Sequence, residues 1–403
     1  MTSSVNKSRV VTCVLVVLVL SLLSVLPSTA TSRAAPFAAT SPLVTAFAER
    51  GSVYALHSDG STLRVTAGTN AVDPLLSPDR STVAYVTANR PRKDRYGETV
   101  LNGVWTVGIH ANRQILVASL PGGGAGTLAW SPNGRFLAYL YGREVGVWRG
   151  PGGGSQIVAR LSRDPALGSE PAMAWSPDSR QIAVPLSPVS LQQPPASLSV
   201  AIVDVQGASS RAVPVRFPQR LMGSQTAALG WHPTSNQIGW SPDGNSLLVA
   251  TVINGAGNSL SGIWTISKGG GMAHLRYGNP ADAARGSTPA LTGATHFLVS
   301  PGGNRLATDP GRRFWVTPLN SARGHFLVPR QAANCAIAQW GWLVGGQGLA
   351  YVSLCTVGGT INFRSTLSTV SLQTGHSRSI VTLMSPTMTV LSLAPAVRCL
   401  ACG

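Results

Sequence analysis

Chemistry in this chain would have to be built from seven histidines, five cysteines, a few regularly placed aspartates and a large surplus of arginine. His57, His110, His232, His274, His296, His325 and His376 are scattered, and none stands at a zinc-ligand spacing from another. They read as surface histidines, so no metal, no cofactor and no catalytic residue is assigned. A closed ring of repeats would still be able to bring distant side chains to a common axis. Asp79, Asp178 and Asp243 resemble a carboxylate set, but each occupies the same place in a repeated turn. Spread around one face, they would lie too far apart to share a proton. The triple-glycine runs 122–124, 152–154 and 269–271 lack the Lys-Ser or Lys-Thr that a phosphate cradle needs, and read as turns.

Arginine offers more. Only Lys7, Lys93 and Lys268 are lysines among 31 basic residues, against 14 acidic ones, for a net charge of +17. The guanidinium fork donates paired hydrogen bonds to carboxylate and phosphate groups. The most charged segment is Arg90-Pro91-Arg92-Lys93-Asp94-Arg95-Tyr96, a basic stretch ending in an aromatic, and Arg312 and Arg313 form a second pair. Trp231, followed by His232-Pro233, is a candidate exposed aromatic contact. The competing account of each is a solvated surface without a ligand, because the charges are scattered and form no compact block.

The elements that position these residues repeat. Ser77-Pro78-Asp79-Arg80, Ser131-Pro132-Asn133-Gly134, Ser176-Pro177-Asp178-Ser179, Ser241-Pro242-Asp243-Gly244 and Ser300-Pro301-Gly302-Gly303 are five copies of one turn. Six places after each Ser comes Val83, Leu137, Ile182, Leu247 or Leu306, and Trp130, Trp175 and Trp240 stand directly before theirs. Pro presets φ, Asp or Asn tolerates the next position and Gly takes positive φ, so the unit is a hairpin turn. Two worn copies follow in register, at 343–350 and 394–401. Between units runs a second hairpin carrying Trp105, Trp148, Trp264 and Trp315. Recurrence of Trp at fixed repeat positions predicts packing between repeats.

With strands named A to D from the inside outward, the chain reads C-D, six A-B-C-D sets, then A-B. This predicts an all-β fold: a β-propeller of seven four-stranded blades, closed by pairing between the N- and C-terminal strands. Six blades is the alternative, if 390–403 does not pair. The A-B hairpin turning around Val344–Gly348 pairs residues whose numbers sum to about 690, so Cys335 and Cys355 are expected to face each other in a disulfide. Cys399 and Cys402 are three apart, on opposite faces of a regular strand. Either a terminal structural disulfide or separate thiols is open there, with redox chemistry disfavoured outside a βαβ setting.

The Trp-Ser-Pro-Asp-Gly-x-x-Leu-Ala units resemble those of TolB-type, WD-repeat-like propellers of bacterial envelopes, over residues 49–403. The resemblance implies a rigid platform for protein or ligand binding. Some members of the family precede an α/β-hydrolase peptidase; no Gly-x-Ser-x-Gly elbow occurs here, so peptidase activity is not expected of this chain.

At the N-terminus, Lys7 and Arg9 precede the apolar run Val10–Leu26, then Pro27 and Ser28-Thr29-Ala30, the order of an export signal. The expected division is 1–30 as signal peptide or signal anchor, 31–48 as linker and 49–403 as propeller. Cleavage after Ala30 is preferred to a tether formed by residues 10–26. Both place the remainder outside the cytoplasm.

The long connections, B-C and D-A, share one face, and that face carries Arg90, Arg92, Lys93, Arg95, Tyr96, Arg312 and Arg313. Binding by rigid scaffolds resides in such loops. The expectation is a monomeric, non-catalytic scaffold that engages an envelope protein or an anionic envelope component, a lipid head group or a wall polymer. Nucleic acid is disfavoured by export. The alternative is a hydrolase or lyase at the channel mouth, which His or carboxylates converging on the axis would favour; a lining of Ser, Gly and Arg would favour binding.

Overall fold

The structure is a computed structural model, and it describes residues 41–87, 103–111, 113–120, 127–165, 173–186, 198–216, 228–230, 238–255, 258–277, 297–308, 314–319, 324–327, 331–357, 363–385 and 391–392. Its strands form seven sheets arranged as a seven-bladed β-propeller. From the axis outward, blade 1 contains Leu391–Ser392, Leu43–Glu49, Ser52–His57 and Thr62–Arg64, and blade 2 contains Ala71–Leu76, Thr82–Thr87, Gly103–Gly108 and Gln114–Ser119. Blade 3 is Thr127–Trp130, Leu137–Tyr141, Glu144–Trp148 and Ser155–Arg160; blade 4 is Ala174–Trp175, Gln181–Leu186, Leu198–Asp204 and Ser209–Arg216. Blade 5 has a divided inner strand, Ala228–Gly230 and Ile238–Trp240, then Ser246–Gly255, Asn258–Ser267 and His274–Tyr277. Phe297–Val299, Arg305–Thr308, Trp315–Pro318 and His325–Phe326 make blade 6, and Cys335–Trp342, Gly348–Thr356, Phe363–Ser371 and Ser377–Ser385 make blade 7.

Burial follows radial position. The B strand Thr82–Thr87 buries every residue but its first, because neighbouring blades cover both faces. The D strand Gln114–Ser119 buries only Val117 fully, since it faces solvent at the rim. Tyr85, Tyr139 and Tyr351 of the B strands reach across to the D strands, bonding Gln114 at 2.8 Å, Ser155 at 2.8 Å and Ser377 at 2.7 Å. Tyr139 crosses directly over Gly146, where a Cβ would lie 2.0 Å from the ring. Burial pushes the Tyr85 phenol up to about 12.

Closure differs in detail from the sequence expectation. Leu43–Glu49, inside the stretch expected to be linker, is the B strand of blade 1. It pairs outward with Ser52–His57 and inward with the C-terminal strand, Ala48 opposite Ser392 and Glu49 opposite Leu391. The blade therefore joins three N-terminal strands to one C-terminal strand, in place of two and two. Ser41-Pro42 stands directly before Leu43, but the Asp or Asn and the Gly of the repeated turn do not follow it, and the chain enters the strand at once. Residues 393–403, with Cys399 and Cys402, and residues 10–26 lie outside the described residues.

Cys335 and Cys355 are cross-strand partners in blade 7 and form a disulfide, with their Cα atoms 4.0 Å apart. At the rim, an arginine from one D strand donates to a carbonyl in the C-D turn of the next blade. Arg211 bonds the Lys268 carbonyl at 2.9 Å, Arg276 bonds that of Leu319 at 3.1 Å, and Arg378 bonds that of Asp59. Between blades 4 and 5 the backbone adds a short parallel bridge, Val215–Arg216 against Gly271–Met272.

Candidate functional site

A Ser hydroxyl organises the tight A-B turn in blades 2 to 6. In blade 2 the Ser77 hydroxyl donates to Asp79 Oδ1 at 2.5 Å and accepts from the Thr82 N–H at 3.0 Å, while the Arg80 N–H closes the turn on the Ser77 carbonyl at 2.9 Å. Ser131, Ser176 and Ser241 repeat the arrangement, with Asn133, Asp178 and Asp243 as the acceptors. Burial raises the Asp79 and Asp178 carboxyls, but the hydrogen bonds they accept from Ser and from turn N–H groups outweigh it, and both end below their ordinary value. Asp243 is also lowered, first by the Ser241 hydroxyl. These carboxylates are turn acceptors, as the repeat position indicated.

The fourth turn residue takes positive φ whatever its identity: Gly303 at 70°, and also Arg80 at 64° and Ser179 at 61°. Each turn then rests on the one before it. Gly303 lies against Pro242, where an added Cβ would sit 3.6 Å from the ring, and the Asn133 N–H meets Ser179 Oγ at 3.3 Å.

Tryptophan locks the same ring from beneath. Indole Nε1 of Trp130, Trp175, Trp240 and Trp342 donates to the preceding blade, to the carbonyls of Leu75, Ala129, Ala174 and Leu298, at 2.9–3.0 Å. In blade 6 Val299 stands in the Trp position and packs onto Gly239, where a Cβ would approach it to 2.9 Å.

Together these turns and strand ends enclose a cavity of about 500 Å³ at the channel mouth, to which all seven blades contribute. Among the described residues its wall consists of four Trp, five Pro, Met173 and aliphatic or Gly residues, with Thr45 and Ser300 as the hydroxyls and no titratable side chain. This matches neither lining considered from the sequence. Among the described residues the wall offers no acid, no base and no metal-ligand set, and no three His, Cys, Asp or Glu side chains come together.

The loop-face candidates Arg90, Arg92, Lys93, Arg95 and Tyr96, together with Trp231, Arg312 and Arg313, lie outside the described residues. The basic stretch connects Thr87 to Gly103, the ends of the B and C strands of blade 2. Trp231 follows Gly230, where the inner strand of blade 5 is interrupted before Ile238. The sequence pointed to the mouth as an alternative site but not to its apolar lining. Its signal was the proline recurring in five turns, which local analysis explains fully as turn chemistry.

Comparison with solved structures agrees on the fold. An oligogalacturonate lyase from Vibrio parahaemolyticus superposes with a TM-score of 0.50 at 11% identity, over 85% of this chain and 86% of that one. Tricorn protease gives 0.51 at 11% identity, over 86% of this chain and 34% of its own, so this chain spans about a third of that protein. A TolB-like protein from Agrobacterium tumefaciens gives 0.39 at 15% identity, over 68% of this chain and 87% of that one. No family model and no curated protein sequence matches the chain. The fold is a β-propeller. Resemblance to the TolB type rests on the Ser-Pro units and extends no further than those repeats.

Proposed function

We propose that this protein is a non-catalytic binding scaffold of the cell envelope. It works outside the cytoplasm and engages a protein or an anionic component, a lipid head group or a wall polymer, through its long B-C and D-A connections. The observation that carries this reading is the channel mouth, whose described wall is apolar and holds no titratable side chain with which to run a reaction. A hydrolase or lyase would need a metal or an acid/base pair at the axis. The Cys335–Cys355 disulfide supports an oxidising compartment, and a charge of +17 supports an anionic partner.

The test compares wild type, lacking residues 1–30, with a variant carrying Arg90→Ser, Arg92→Ser, Lys93→Ser and Arg95→Ser. Retention on isolated envelope, on purified wall polymer and on anionic vesicles is measured across a salt series. Wild type should be retained at low salt, and the variant should lose at least tenfold in affinity with an unchanged melting temperature. Equal retention by the folded variant removes this loop from the site, and no retention of wild type by any of the three defeats the scaffold reading.

A further inference from the structure

On the face opposite the long connections, the apolar cavity opens among turns that carry unpaired arginines. Arg80, Arg135, Arg180 and Arg305 stand in or beside four of the A-B turns whose prolines line the mouth. Arg80 is half-buried, and its Nη2 lies 3.4 Å from where a Cβ on the mouth-lining Gly345 would sit. The other three are exposed. Among the described residues none of the four guanidinium groups donates a hydrogen bond or closes an ion pair. Arg180 acts on Asp178 only through space. The neighbouring carboxylates are occupied by Ser hydroxyls and turn N–H groups. With four arginines against three aspartates, these turns carry one net positive charge beside an uncharged interior.

Among the described residues, the side chains of that interior offer few hydrogen bonds. Five of its residues are prolines without an N–H. The carbonyls of Leu75, Ala129, Ala174 and Leu298 are held by indole N–H groups. The Ser300 hydroxyl is engaged with Asn304 and with the Arg305 N–H. A peptide entering here would bury an N–H and a C=O with every residue, and each one left unpaired opposes binding. An alkyl chain brings no such groups. We propose that the mouth binds a single-chain anionic amphiphile, a fatty-acid-like carboxylate whose tail enters the cavity and whose head meets the turn arginines. A volume of about 500 Å³ lies within the roughly 300–1,000 Å³ of small-molecule sites. The site is separate from the loop face, so it stands or falls independently of the scaffold reading.

The test titrates the protein lacking residues 1–30 with saturated carboxylates of increasing length, kept below their micelle-forming concentrations, and with the matching alcohols. Tryptophan fluorescence reports on the mouth, because four of its wall residues are Trp. Saturable one-to-one binding is expected, tightening about fourfold per added methylene until the cavity is full. The alcohols should bind at least tenfold more weakly. Val299→Trp restores the repeat's own residue in blade 6 and narrows the cavity, so it should weaken binding at least tenfold without lowering the melting temperature. Combining Arg80→Gly, Arg135→Ser, Arg180→Ser and Arg305→Ser should bring the carboxylates down to the affinity of the alcohols. No saturable binding, equal binding by the Val299→Trp protein, or equal affinity for alcohol and carboxylate overturns the proposal. So does binding to anionic phospholipid vesicles without binding to free carboxylates, or an acidic peptide that occupies the mouth where carboxylates do not.

Discussion

Indole N–H groups join blades 2 and 3, 3 and 4, 4 and 5, and 6 and 7 at the axis, guanidinium groups join blades 4 and 5, 5 and 6, and 7 and 1 at the rim, and both kinds of joint end on a backbone carbonyl. At the axis an indole N–H reaches back to the preceding blade, as Trp240 does to Ala174. At the rim a guanidinium reaches forward to the following one, as Arg378 does to Asp59. The acceptor is the same and the surroundings are not. Trp240 is 4% exposed and brings a large apolar ring with its N–H, so losing it removes burial and strands a carbonyl together. Arg378 is exposed, and its bond competes with water. The contrast shows how the fold accommodates so much arginine. Guanidinium groups serve as carbonyl donors and keep their charge, and the ion pair found among the described residues, Arg143–Asp164, spans 4.0 Å.

Mutation at the axis should have the largest effect. Trp240→Ala is expected to destabilise the propeller by about 3–5 kcal/mol in urea unfolding. Trp240→Phe, which keeps most of the ring and loses the N–H, should cost about 1–2 kcal/mol. The rim should respond far less. Arg378→Ala is expected to lose less than about 1 kcal/mol, and less still in high salt. Equal losses at Trp240 and Arg378 would break the comparison.

The smallest effect concerns the turns, and it appears only in acid. Asp79, Asp178 and Asp243 have carboxyls held below their unfolded value. Their stabilisation is present above the unfolded pKa, about 3.9, and is lost as pH falls through the folded one. Asn133 makes the same contacts in blade 3 without titrating. Replacing all three aspartates by Asn should leave the melting temperature near its wild-type value at pH 7 and flatten its decline between pH 5 and 3. A decline as steep as wild type would show that other carboxylates govern acid unfolding.

Features written within one hairpin were legible from the sequence. The Ser-Pro turns fixed strand register well enough to pair Cys335 with Cys355 by arithmetic, and the repeated Trp marked contacts between blades. What escaped was written between distant segments. Before Leu43–Glu49 the repeat is reduced to Ser41-Pro42 without its turn residues, and the strand's inner partner is Leu391–Ser392 from the other end of the chain. The cavity is assembled from one proline in each of five blades, a convergence that no single repeat reveals. Attention went to the charged connections because charge is visible locally, whereas an apolar mouth is a property of the ring.

The way blade 1 closes sets an order of events during synthesis. Ribosomes deliver Leu43–Glu49 before the strands of blades 2 to 7 and Leu391–Ser392 after them, so the inner edge of that strand stays bare while the other blades are made. An unpaired edge is an invitation to the wrong partner, and the chain meets this hazard before its own closing strand exists. Whatever escorts the nascent protein has this edge to shield, and the signal to let go is the arrival of Leu391–Ser392.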